Sequence, residues 1–203
     1  APLVAALDRA GRRYDITTDV ALEAGVGPTL KGHTGVLLAG SARWLPNRLS
    51  RRLSRFVRDG GNLASFGVGA LRRFVTVTPQ GEARDPTQPT DTDLFGAPPV
   101  RVQTAPAKLT VGEDRISLFS GTSGEFGPFV GVEPFADPAV KGEGGPVLAS
   151  AVIGGDAGRP VILATRVGKG VVVRFPIPGM AARLASDTEM TQLLRNTWIL
   201  LSR

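Results

Sequence analysis

The sequence predicts an α/β protein with a mostly parallel, three-layer sheet and a β-rich insertion. Three observations predict it. Between Gly35 and Phe66 the chain reads strand, helix, strand, the βαβ unit whose crossover is right-handed. From Thr78 to Pro106 it turns to loop composition, with prolines at 79, 86, 89, 98, 99 and 106. Beyond that break come short strand candidates, a hairpin and a closing helix.

The elements follow in order. Leu3, Val4 and Leu7 recur at helical spacing, and Gly11 supplies a stop. "RYDITTD" reads as a short strand, Tyr14 to Thr17, ending in a polar turn. Gly35 to Ala39 is an apolar run of the kind buried on both faces of a parallel sheet. After Pro46 a helix is expected: Leu45, Leu49, Leu53, Phe56 and Val57 form one stripe, with Arg48, Arg51, Arg52, Arg55 and Arg58 away from it. Asp59-Gly60-Gly61 ends it, and "NLASFG" is the next strand. "KLTV", "RISLF", "PFVGV" and "PVLASAVI" are strand candidates, and "RPVILATRVGKGVVVRF" is a hairpin about Gly168-Lys169-Gly170. A last helix is expected from Ser186, whose spacing to Glu189 fits a capping box, to Leu201. Its buried face would be Leu193, Leu194, Thr197, Trp198 and Leu201.

This order implies a single domain over 1–203, with an α/β core in 1–78 and 158–203 and an insertion in 79–157. The chain opens inside a helix, without the strand such a fold places ahead of it, so a segment of a longer protein is expected. At 203 residues, 42% hydrophobic and 21% charged, the composition is that of a soluble globular protein. No apolar run approaches the roughly 20 residues that cross a bilayer. The absence of cysteine excludes disulfides, thiolate metal sites and a cysteine nucleophile, and leaves the compartment open. The net charge of +6 comes mostly from arginine, with lysine only at 31, 108, 141 and 169. With abundant Ala, Gly and Pro, that bias fits a GC-rich bacterial genome as readily as a polyanionic partner.

In open α/β sheets, ligands bind beyond the carboxyl ends of the strands. Two loops answer that description, "AGSARWLP" and "FGVGALRR". Ser41, Arg43, Trp44, Gly67 and Arg72 are therefore the candidate ligand-binding residues. Trp44 leads, either contacting a ligand or packing under the following helix. No catalytic residue, metal ligand or cofactor site is assigned. His33 is the single histidine and sits in a loop. "GTSGEFG" is a glycine-rich turn rather than a nucleophile elbow. Gly67-x-Gly69 lacks the third glycine of a dinucleotide fingerprint. Glu113, Asp114, Glu125, Glu133, Asp137 and Glu143 cluster in the β-rich part; a solvated acidic face is expected, although a converged pair could support acid–base work. The arginines after Pro46, with Arg43, Arg72 and Arg73, form a basic strip suited to anions or an acidic partner. Aromatic residues at 6% leave few stacking platforms, so nucleic acid is not expected.

Ser65-Phe66-Gly67-Val68-Gly69 resembles the elbow of class I glutamine amidotransferase-like proteins, a flavodoxin-like architecture in which a strand runs into Gly-x-Cys-x-Gly. Gly67 stands at the nucleophile's place, which excludes thiol chemistry there. "ALDRAGRRYDITTDVAL", "GVLLAGSARWLPNRLSRRLSRFVRDGGNLASFGVGALRRFV" and "GKGVVVRF" with "LLRNTWILL" are similar to the C-terminal region of the N,N-dimethylformamidase large subunit, over about half of the chain. That family carries a Gly-His-x-Glu-Tyr-Trp signature whose His and Glu contribute to an iron centre. With Trp44 in register, Gly40 and Ala42 stand for them; with a one-residue gap, Ser41 and Arg43 do. Neither pairing supplies the N and O donors such iron needs. The resemblance thus implies a degenerate site in a non-catalytic binding or scaffolding module of a larger bacterial protein. Its partners would be other domains of that protein or a small ligand. The alternative is a hydrolase of amide (C–N) bonds using residues outside the degenerate motif.

Overall fold

In a computed structural model that describes residues 2–40, 42–78, 80–136, 145–154, 158–184 and 186–203, the apolar runs assemble into a seven-stranded sheet and a small three-stranded one. The elements are α1 (Pro2–Arg9), α2 (Asp19–Ala24), β1 (Gly35–Leu38), β2 (Trp44–Pro46), α3 (Asn47–Arg58), β3 (Asn62–Phe66), β4 (Arg73–Val77) and β5 (Ala83–Arg84). There follow β6 (Ala107–Asp114), β7 (Glu125–Phe129), β8 (Val147–Ile153), β9 (Pro160–Val167), β10 (Gly170–Phe175), α4 (Met180–Arg183) and α5 (Thr188–Leu201). The large sheet runs β1-β3-β10-β9-β8-β6-β7, and the small one β2-β4-β5.

The expected mostly parallel three-layer sheet is not what forms. β1, β3 and β10 are parallel, but the pairs β10–β9, β9–β8, β8–β6 and β6–β7 are all antiparallel. The sheet is mixed, with an antiparallel majority. The sequence misleads here because β9 and β10 are apolar along almost their whole length, the usual mark of parallel strands covered by helices on both faces. β9 gains its second cover differently. Leu163 packs with Ala97 and Phe135, which belong to loops rather than to a helix. Strands β6 and β8 hydrogen-bond in the same sheet as the closing hairpin.

Around β3 and β10 the sheet has a core on each face. Leu63 and Val172 face Leu49, Leu53 and Val57 of α3, whereas Ala64, Phe66, Val173 and Phe175 share a cluster with α5 and α1. Alternate residues of a strand point to opposite faces, so the all-apolar sequence of these two strands serves both cores. Each fully buried leucine or valine of α3 contributes about 1.5–3 kcal/mol.

Several local expectations shift. Residues 12–18 join no ladder; Tyr14 packs edge-on to Trp198, with ring centroids 6.3 Å apart, and donates its hydroxyl to Asp8. Thr18 instead begins α2, accepting from the Ala21 N–H at 3.1 Å, and Gly25 closes that helix in the left-handed region at φ 73°. β1 is an edge strand and only half-buried. "RISLF" forms a turn, because the Asp114 carboxylate accepts from the Leu118 and Phe119 N–H groups at 2.7 and 2.9 Å. β7 ends at Phe129, ahead of most of "PFVGV". The cap of α5 is Asp187 rather than Ser186, accepting from the Met190 N–H at 3.1 Å. Glu189 is drawn away to Ser123, whose N–H donates to it at 2.7 Å.

Candidate functional site

The candidate loop "FGVGALRR" leaves the sheet at the carboxyl end of β3, which lies beside β10. Gly67 and Gly69 take φ of 91° and 70°, conformations that glycine adopts without strain. The buried Leu71 also sits at positive φ, 64°. Its N–H donates to the Ala42 carbonyl at 3.1 Å and its carbonyl accepts from Leu94 at 2.9 Å, which hold it in that costly conformation. Gly67 donates to the Phe175 carbonyl at 2.9 Å, so the turn is stitched to β10.

Glu133 is bound by this turn. It is 6% exposed, accepts from the Gly69 N–H at 2.7 Å and pairs with Arg72 Nη1 at 3.2 Å. Arg72 also donates through Nε to the Thr90 carbonyl at 2.8 Å. Glu133 therefore leaves the expected solvated acidic face and becomes the anion that the turn binds. Sequence reasoning missed it, because 61 residues separate it from Arg72 and no local pattern marks the pairing.

The five candidate residues divide. Ser41 lies outside the described residues. Gly67 and Arg72 belong to the closed turn. Arg43 and Trp44 stand at the exposed rim, Trp44 being 40% exposed with the Arg73 guanidinium 5.2 Å above its ring centroid. Gly67 and Arg72 thus share one turn but have different partners, Phe175 and Glu133, while Trp44 stacks with Arg73, a cation–aromatic pair.

A second, buried network is centred on β10. Arg174, on β10, pairs with Asp93; each side chain is 3% exposed. Arg174 also donates to Thr165 Oγ1 at 2.9 Å. Asp93 Oδ1 accepts in addition from the Phe95 and Ala97 N–H groups at 2.9 and 3.0 Å. One signal could have found it: an arginine inside the buried run "GVVVRF" must have a partner.

The other candidates disperse. His33 Nε2 lies 3.1 Å from Asp15 Oδ2 on the surface. Ser65, the first residue of the elbow-like run, is buried within β3. Glu113 pairs with Arg115, Glu125 with Lys108 at 3.8 Å, and Asp114 caps its turn. Asp137 and Glu143 lie outside the described residues. Among the described residues no group of three His, Cys, Asp or Glu side chains could hold a metal ion, and no helix is long and apolar enough to cross a membrane.

No protein-family model matches the chain, and no curated protein matches it. Solved structures do. A β-galactosidase from Bacillus circulans sp. alkalophilus aligns at TM-score 0.56 and 15% identity, covering 88% of this chain and 25% of that one. An exo-β-1,4-mannosidase from Opitutaceae bacterium strain TAV5 aligns at 0.56 and 14%, covering 99% and 30%. A cytoplasmic protein from Salmonella typhimurium LT2 aligns at 0.62 and 13%, covering 100% and 86%. The chain thus spans less than a third of the two glycosidase chains. At such identities the likeness is one of fold. The fold shared with these β-rich glycosidase domains, together with the antiparallel majority of the sheet, corrects the expectation of a glutamine amidotransferase-like, flavodoxin-like α/β domain.

Proposed function

We propose that this chain is a non-catalytic binding or scaffolding module of a larger protein. One observation carries the reading: the polar groups at the glycine turn satisfy one another. A working hydrolytic site keeps a nucleophile, base or metal ligand free to meet substrate. Here Glu133, the buried carboxylate nearest the turn, is spent on Gly69 and Arg72. Gly67 brings no side chain to its elbow. That the same fold fills only part of two glycosidase chains is in keeping with a domain that serves a larger protein.

The alternative, hydrolysis of amide bonds by residues away from the degenerate motif, needs converging carboxylates. Those of the β-rich part, among the described residues, are committed to separate partners. The test is a turnover panel: N,N-dimethylformamide, glutamine and nitrophenyl glycosides, each with and without ferrous iron, followed by amine, ammonia or nitrophenol release. No release above the protein-free rate is expected. Turnover that disappears in the Glu133→Gln variant would overturn the reading.

A further inference from the structure

The outward face of α3 carries charge of one sign. Arg48, Arg51, Arg55 and Arg58 form an exposed stripe opposite the face that buries Leu49, Leu53 and Val57. The helix contains no acidic residue. Asp59 follows its last turn, and among the described residues none of the four guanidiniums lies within ion-pair distance of a carboxylate. A merely solvated helix face gains by interleaving the two signs, since like charges three and four residues apart repel. This one does the opposite.

The stripe continues past both ends of the helix. At its carboxyl end the Lys169 N–H donates to the Arg58 carbonyl at 3.1 Å, and Arg166 donates to the Lys169 carbonyl at 3.3 Å, adding two cations. At its amino end stands the exposed Trp44 under Arg73. Tryptophan and arginine are the residues most enriched at the energetic centres of protein interfaces.

We infer that this face docks an acidic helix of a protein partner. The inference rests on the binding-module reading and names the partner's chemistry. All four positions are arginine, whose planar fork takes a carboxylate through two parallel hydrogen bonds. At 1.5 Å per residue, Arg48 to Arg58 spans about 15 Å, the length over which a helix with acids every third or fourth residue presents a matching row. A lipid surface fits less well, because from Arg48 to Arg58 the stripe offers no apolar side chain to enter it, and Arg73 already covers Trp44 at its amino end. Single-stranded nucleic acid fits less well too, since Trp44 is the exposed aromatic among the described residues and Arg73 already covers it.

The experiment is fluorescence anisotropy of the full chain with a labelled glutamate-rich helical peptide, a DNA duplex and a single strand of equal charge, beside co-sedimentation with phosphatidylglycerol vesicles. At about 50 mM salt the peptide binds most tightly. The Arg51→Glu/Arg55→Glu variant weakens it at least about tenfold, through charges removed from one docking face. An Arg101→Glu/Arg195→Glu variant, altering exposed arginines elsewhere by the same charge, weakens it less than about threefold. Arg51→Lys/Arg55→Lys keeps the charge yet still weakens binding, through loss of the fork. Circular dichroism confirms that each variant is folded. Equal losses in both charge-reversed variants, tighter binding of DNA or vesicles, or no peptide binding would overturn the inference. Failure here leaves the turnover panel unaffected, and turnover would sink the non-catalytic reading while peptide binding stays measurable.

Discussion

Removing Asp93 should be among the most damaging single changes available to this fold. The Asp93 and Arg174 side chains are each 3% exposed, so Asp93→Ala leaves a cation in the interior whose remaining hydrogen-bond acceptors are the Thr165 hydroxyl and the Val172 carbonyl. It also strips the acceptor from two N–H groups beside the buried Phe95 and Ala97. Breaking a buried pair from one side costs about 3–5 kcal/mol. For a chain of this size that lowers the melting temperature by about 6–20 °C. Asp93→Asn separates the two contributions: an amide oxygen can still accept from Phe95 and Ala97 but cannot neutralise Arg174. A loss of about 1.5–3 kcal/mol, that of a hydrogen bond to a charged group, is expected. Adding Arg174→Met to Asp93→Ala removes the orphaned cation, so the double variant should be no less stable than Asp93→Ala alone. Urea unfolding followed by circular dichroism measures all three. A loss below about 1 kcal/mol in Asp93→Ala, or costs that simply add in the double variant, would refute the argument that the pair is buried and coupled.

Glu133→Gln should cost less, about 1–2 kcal/mol, because Arg72 is near the surface and can turn to water; faster exchange of the Gly69 amide hydrogen is its specific readout, and unchanged exchange would contradict the closure of the turn. Asp187→Ala should destabilise by about 1 kcal/mol through loss of the α5 cap, while Ser186→Ala is neutral; equal effects would argue against Asp187 as the cap. Tyr14 is the single tyrosine, so tyrosinate absorbance titrates it alone. The hydrogen bond to Asp8, then burial and the carboxylate charge, raise its pKa above the ordinary 10.0. Its contribution to stability is therefore present below about pH 10 and lost as the pH climbs through the raised value. Asp8→Asn should bring the midpoint down, and an unchanged midpoint would remove Asp8 as the cause.

What the sequence made legible was local. The stripe of Leu49, Leu53 and Val57 set α3, the glycine pair at 60–61 set its end, and the β-branched arms around Gly168 set the β9–β10 hairpin. What stayed hidden was pairing across distance. Nothing in "VLASAVI" says that β8 runs antiparallel between β9 and β6, since an apolar run reads the same in either direction. The expected strand at Tyr14–Thr17 failed for a related reason: propensity proposed it, but no sheet edge takes it up. At the candidate site, the glycine turn was visible in its spacing and Glu133 was not.

The proline-rich stretch and the β-rich segment also change meaning once their contacts are known. Loop composition suggests material hanging free of the sheet, yet both segments are bonded into it. Asp93 ties the first to Arg174 on β10. The second supplies Glu133, whose N–H donates to the Pro176 carbonyl at 3.2 Å while its carboxylate holds Gly69 and Arg72. The glycine turn is thus engaged by the protein's own Glu133, whose charge is neutralised in place by Arg72. Opening it to a ligand would mean stranding Arg72 and an amide hydrogen, a cost substrate binding would have to offset before any chemistry began. Arg48, Arg51, Arg55 and Arg58 carry no such cost, being exposed and, among the described residues, without a carboxylate partner. On the proposed reading, docking at the outward face of α3 therefore costs less than displacing Glu133 from the glycine turn.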